Sequence, residues 1–191
     1  MTAVLLLALL QSLEDPVLRL QHGTTVIHVA FQPGGILATA SREGDDLSIM
    51  AWSVEGGAPR RRIAAPLAER MDSVSFARRA PLLAASRSDG TIRVWDIERE
   101  TEVSSFASGR SFARVVLSPD GRLVASAGTR IRIHDTATGG SVCELEDSRY
   151  PGLLRFSPDG RFLAAVQAPS GIGLWDAGTG RLVRVLSAAF H

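Results

Sequence analysis

The chain has 191 residues, 45% of them hydrophobic, the size of one generous domain and the composition of a folded globular chain. Its formal net charge of +1 supplies no global attraction to nucleic acid or to an anionic membrane. A lone cysteine, Cys143, excludes an intrachain disulfide and a cysteine metal cluster, and every one of the 21 basic residues is arginine.

Ala3 to Leu10 is an uninterrupted apolar run, too short to span a bilayer. It has the length of a signal-peptide core, but no basic residue precedes it and the cleavage pattern after it is poor. Two readings stay open: an export signal over residues 1–12, or a helix or strand that docks on the domain of a cytoplasmic protein. Residues 1–15 are therefore set apart from a repeat domain over 16–191. Val17 to Leu20 reads as a short strand, His22-Gly23 as a loop, and Val26 to Phe31 as a strand. Gln32-Pro33-Gly34-Gly35 is turn chemistry. Ile36 to Ser41, Leu47 to Ser53 and Arg60 to Ala64 continue as strands, and Gly56-Gly57 separates the last two.

The phrase then repeats. Leu82 to Ser86, Asp89-Gly90 and Thr91 to Asp96 form strand, turn and strand, with Ile92, Val94 and Ile97 on one alternating face. Ile131 to Asp135 and Ile172 to Asp176 copy the last of these. Ser118-Pro119-Asp120-Gly121 and Ser157-Pro158-Asp159-Gly160 place proline and glycine where a type I turn with a glycine bulge wants them. Phe31, Phe76, Leu117 and Phe156 each close a first strand, at steps of 45, 41 and 39 residues, and should be buried. Ser41, Ser86, Ala127 and Val166 each follow ten residues later, which predicts one constant hairpin register. Trp52, Trp95, His134 and Trp175 put a large ring at one place in each third strand. Cys143 falls in an apolar alternation and reads as a small buried hydrophobe.

These residues resemble the WD-repeat β-propeller family over about Val17 to Leu186. The resemblance implies an all-β fold of four blades, each a four-stranded antiparallel sheet, at about 22–64, 67–106, 110–145 and 150–186. Outer strands outnumber inner sets, because Val17 to Leu20 adds a fifth to Arg62 to Ala64, Glu102 to Phe106, Val142 to Leu145 and Leu182 to Leu186. That implies an open arc or partial ring, completed by self-association or by another chain. The family also threads a hydrogen-bond network through each blade. Carried over, it would use His22, Ser41, Asp45 (or Asp46) and Trp52 in the first, Ser86, Asp89 and Trp95 in the second, and Trp175 in the fourth. Gln21, Leu67, Ala127, His134 and Val166 depart from that pattern, so the third and fourth copies should rely on apolar packing.

No set of residues carries catalysis. His22, His28, His134 and His191 do not pair at metal-ligand spacing, and neither a nucleophile elbow nor a phosphate loop is present. The Arg60-Arg61-Arg62 run lacks interleaved aromatics, which argues against nucleic acid. No cofactor or metal is called for, and no stretch is long enough for a transmembrane span. The family's loop end would gather Arg42, Arg87, Arg110, Arg130, Arg149 and Tyr150, residue types that anchor interfaces. The resulting expectation is a non-enzymatic scaffold for a protein or peptide partner, an acidic or phosphorylated peptide being one ligand. The alternative is a sensor or accessory propeller of a larger bacterial kinase or exported hydrolase system.

Overall fold

The computed structural model describes residues 3–7, 18–22, 25–43, 46–54, 59–63, 71–87, 89–108, 114–148, 151–167 and 171–186. All regular structure among them is β-strand, and the chain divides into two compact units, Met1–Glu69 and Arg70–His191.

The first unit opens with β1 (Ala3–Leu7) paired antiparallel to β2 (Leu18–His22), Leu5 opposite Leu20. The apolar run at the start thus holds a strand. The segment expected to be a surplus outer strand has a local partner instead, so it joins no four-stranded sheet. Sheet one follows as β3 (Thr25–Gln32), β4 (Ile36–Glu43), β5 (Asp46–Ser53) and β6 (Pro59–Ile63), hydrogen-bonded in chain order.

The second unit contains three more sheets of the same plan. Sheet two is β7 (Met71–Phe76), β8 (Leu82–Arg87), β9 (Thr91–Asp96) and β10 (Thr101–Ala107). Sheet three is β11 (Arg114–Leu117), β12 (Leu123–Ala127), β13 (Ile131–Asp135) and β14 (Ser141–Glu144). Sheet four is β15 (Pro151–Phe156), β16 (Phe162–Gln167), β17 (Gly171–Asp176) and β18 (Leu182–Leu186). Every pairing within the four sheets is antiparallel, the result of turns too short for a crossover. None of the sheets closes on itself as a barrel.

Alternation gives each sheet two faces. The front carries the first-strand Phe or Leu and the third-strand ring, with Leu83 between Phe76 and Trp95 in the register of sheet two. The rear carries the residues between them. In the second unit, rear meets front twice. Ala84, Ile92 and Val94 of sheet two pack on Val115, Leu117 and Val124 of sheet three. Val116, Ala125, Ile131 and Ile133 of sheet three then pack on Leu154, Leu163, Ala165 and Trp175 of sheet four. Small residues in β8, β12 and β16 let neighbouring sheets approach closely. Burying each Leu, Ile or Val at these joints stabilises by roughly 1.5–3 kcal/mol, against about 0–1 kcal/mol for an exposed ion pair, so apolar packing holds the unit together.

Of the first-strand residues expected inside, Phe76 and Leu117 are buried and Phe156 is half-buried, but Phe31 is 61% exposed. The equivalence of the hairpins also fails in one place. Phe31 faces Leu37 six residues on, whereas Phe76, Leu117 and Phe156 face partners seven residues on. The turn of sheet one is one residue shorter, so the structural counterpart of Ser86 is Ala40 and Ser41 lies on the opposite face.

The third and fourth strands are joined by one repeated turn. Asp96, Asp135 and Asp176 each use Oδ1 to accept backbone N–H groups of the residues that follow, including Arg99, Thr138 and Thr179. Those bonds hold the Asp135 and Asp176 carboxyls below the ordinary 3.8, led by the Thr138 backbone in one case and the Thr179 hydroxyl in the other. Their contribution to stability is therefore present above pH 3.8 and is lost as the pH falls through the lower folded values. Four residues after each aspartate the backbone is left-handed: Glu100 at φ 57°, Gly139 at 72° and Gly180 at 74°. A Cβ on Gly180 would also lie 2.7 Å from the Glu144 carbonyl.

Glu100 is thus the one strained member of the three. Removing a strain of about 1–2 kcal/mol, less the extra chain freedom of glycine, leaves Glu100→Gly about 0.5–1 kcal/mol more stable in urea unfolding. Gly180→Ala moves the other way, by at least about 1 kcal/mol.

Candidate functional site

The residues read as a hydrogen-bond network are resolved differently in each sheet. His22 ends β2, and Asp45 lies outside the described residues. In sheet one the Trp52 indole N–H donates to the Thr39 hydroxyl at 2.9 Å, in place of Ser41. The Ser41 hydroxyl donates to the Ser48 carbonyl at 3.3 Å. In sheet two Ser86 is buried on the rear face, opposite Ile92, while Trp95 is on the front, so the two cannot meet. Ala85 occupies the front position, and the Trp95 indole nitrogen is buried with no hydrogen-bond partner among the described residues. Asp89 holds the β8–β9 turn by accepting the Thr91 N–H at 2.8 Å, and its second oxygen lies 3.4 Å from Arg87. The Thr91 backbone bond leads the causes that lower its pKa from 3.8.

Sheet three repeats the hydroxyl-to-ring contact with other residues: the Ser126 hydroxyl stands 3.5 Å from His134 Nε2. The imidazole leans on Phe106 of sheet two, ring centroids 4.8 Å apart. Burial pushes the His134 pKa below its ordinary 6.5. The Gly139 backbone pulls the other way, although Nδ1 has no well-formed hydrogen bond among the described residues, and the charge of Arg132 adds to the lowering. In sheet four Trp175 lies across Gly173, where any Cβ would overlap the ring, and donates to the Glu146 carbonyl, in the turn after β14, at 2.8 Å. Cys143 is half-buried, donates to the Ala177 carbonyl at 3.5 Å, and has its pKa raised by burial and then by Asp176, which disfavours the thiolate.

Of the arginines expected at one end of the sheets, Arg87 ends β8 and Arg130 precedes β13. These are corresponding turns of adjacent sheets, so both side chains stand at the same end of the second unit. Arg42 is in β4, opposite Thr25 and Leu47. Arg110, Arg149 and Tyr150 lie outside the described residues. Arg130 lines a cavity of about 160 Å³ together with Ser108, Ser126, Gly128, Thr129, Arg132 and Glu144. Glu144 takes a 3.0 Å hydrogen bond from each of Arg130 and Arg132, and Arg132 also donates to the Ser108 carbonyl at 3.0 Å. The Arg132 hydrogen bond leads the causes that lower the Glu144 pKa from 4.5. Two guanidiniums around one carboxylate leave this rim with a surplus positive charge. Arg132 and Glu144 were absent from the sequence expectation, yet they are directly opposite in the β13–β14 register, an oppositely charged cross-strand pair.

No group of three or more acidic, histidine or cysteine side chains able to hold a metal occurs among the described residues, and no helix there is long and apolar enough to cross a membrane.

Comparison with known proteins agrees with the repeat. Residues 69–96, which take in β7, β8 and β9, match the WD domain, G-beta repeat family. The chain is 28% identical over 116 residues to the small ribosomal subunit protein RACK1 of Schizosaccharomyces pombe. That alignment covers 60% of this chain and 37% of the relative, so the chain spans well under half the length of the protein it matches. Both findings support the WD-repeat family identification made from the residues.

His134 supplies a pH test of the sheet two–sheet three joint. Its folded pKa is below the unfolded 6.5, so the stability it leaves in place is complete above pH 6.5 and declines as the pH falls below it. His134→Phe keeps the ring against Phe106 and removes the titration. In urea unfolding from pH 7.5 down to about 5, the variant should show a flatter stability profile than the parent.

Proposed function

We propose that this chain is a non-catalytic protein-interaction module whose contact surface is the arginine-bearing end of its sheets, and that its ligand is an acidic or phosphorylated peptide. The observation that carries the reading is the rim around the cavity, where Arg130 and Arg132 share Glu144 while Arg130 keeps about half of its side chain exposed (54%). A guanidinium held by a carboxylate on one side still has donors in its planar fork for an incoming carboxylate or phosphate. Arg87, on the corresponding turn of the adjacent sheet, has Asp89 as its partner and adds a second anchored cation. Pre-placement of both side chains lowers the ordering cost of binding.

The similarity to WD-repeat sequence supports a scaffold role, and the name of the relative places that protein within an assembly, the small ribosomal subunit.

Titration of glutamate-rich and phosphoserine peptide arrays against the full chain tests the reading. Arg87→Ala and Arg130→Ala should each weaken binding about tenfold, the effect of losing one interface arginine, and binding should fall as salt rises. Unchanged affinity in both variants, with unchanged circular dichroism, removes the assignment of this face.

A further inference from the structure

The charged groups lining the cavity between sheets two and three are Arg130, Arg132 and Glu144, which sum to one surplus positive charge. Glu144 is ionised at neutral pH, because the Arg132 hydrogen bond and the charges of both arginines hold its carboxyl below the usual 4.5. The walls are tied within the second unit. Ser108, just after β10, gives both its N–H and its hydroxyl to the Gly90 carbonyl, each at 2.8 Å. Arg132 is pinned on two sides, Nη1 on the Ser108 carbonyl and Nε on Glu144.

Two donors remain for a guest. Arg130 holds Glu144 through Nη1, and its Nε–Nη2 edge has no acceptor among the described residues. That edge of a guanidinium matches the two oxygens of one carboxylate. Ser126 is 2% exposed, and its hydroxyl reaches the Arg132 carbonyl and His134 Nε2 only at 3.5 Å, the long limit of a hydrogen bond. A hydroxyl rotates, so its proton can turn to a better acceptor inside the cavity. At about 160 Å³, against ~30 Å³ for one water, the cavity has room for the end of a side chain.

The charge balance selects the guest. An entering carboxylate brings one negative charge, and the lining then sums to zero with Glu144 still in place. A phosphate monoester brings about −1.5 to −2 at pH 7 and turns the lining negative. It would also share Arg130 with Glu144, two anions on one guanidinium, and their repulsion is stronger in a partly buried site than in water. We propose that the cavity receives a single carboxylate, a glutamate or aspartate side chain of the partner, and that Glu144 is the built-in counter-charge that makes it reject phosphate. This rests on the arginine-bearing end being the contact surface, and it narrows the ligand to an acidic, unphosphorylated peptide. Glu144 is a positioning residue here, acting through the two arginines.

Calorimetric titration of the full chain tests it, with three peptides of one sequence that carry three consecutive glutamates, phosphoserines or glutamines at the centre. The parent should bind the glutamate peptide about tenfold tighter than the phosphoserine peptide and the glutamine peptide least. In E144Q, with parental circular dichroism, the ratio should move about tenfold toward phosphoserine; E144A repeats the measurement if E144Q does not fold. A merely structural Glu144 would weaken both acidic peptides together, so an unchanged ratio overturns the proposal. Phosphoserine bound by the parent as tightly as glutamate, or tighter, overturns it too, and in both cases the arginine-bearing end stands as the contact surface. Failure of that surface has a different signature: no peptide binds, or R87A and R130A bind both acidic peptides as the parent does, and then both readings fall.

Discussion

A sheet with apolar side chains on both faces has to be covered twice. Among the described residues every regular element is a strand, so a sheet there is covered by another sheet. That constraint explains why one strand pattern recurs in the second unit: the rear of one copy has to fit the front of the next, so both must keep their chemistry in step. It also accounts for the small residues of β12, where Ser126 on the front and Ala125 and Ala127 on the rear admit a neighbouring sheet on each side.

Given that packing, the polar groups inside the sheets need only local solutions, and the four copies reach different ones. Trp52 uses a threonine, His134 approaches a serine, and Trp175 reaches a carbonyl in the turn after β14 across a glycine that makes room for it. Trp95 has no partner among the described residues. Leaving a buried N–H unpaired costs on the order of 1–3 kcal/mol, which the apolar burial around Trp95 can absorb. One shared network is therefore not what holds the sheets in register. The turns do more of that work. Ser118 and Ser157 each donate to the aspartate two residues on and accept from the residue that opens the next strand. Each such loop is closed from within by five hydrogen bonds.

Strands and turns were legible from the residues because alternation and turn chemistry are local properties. Thr91 to Asp96 and its copies, and the two Ser-Pro-Asp-Gly turns, needed no knowledge of what lay across the sheet. Face assignments were less secure, because a hairpin one residue shorter reverses them. Counting ten residues from Phe31 reaches Ser41 on the front, and the same count from Phe76 reaches Ser86 on the rear. The double glycine after Pro33, where the other copies have longer turns, was the visible sign of that difference. Exposure of Phe31 was out of reach for another reason: burial on an edge strand depends on what packs against it, and a strand pattern does not say what that is. The pairing of β2 with β1 belongs with these, since a single short strand does not name its partner.

The same division separates the two kinds of surface on this molecule. Charge at the sheet ends is arranged in pairs, Arg87 with Asp89 and Arg130 and Arg132 with Glu144, so a ligand there competes with partners already in place. Such groups govern selectivity and the rate of encounter more than the strength of the contact. The exposed apolar side chains of sheet four, Val166, Ile172 and Leu186, have no such internal competitor, and any gain there comes from removing apolar area from water, which is indifferent to salt. A contact through the faces should therefore be the more durable of the two. A contact through the arginine rim should be the one that chooses among ligands, because a charged group that fails to match leaves a guanidinium without its carboxylate.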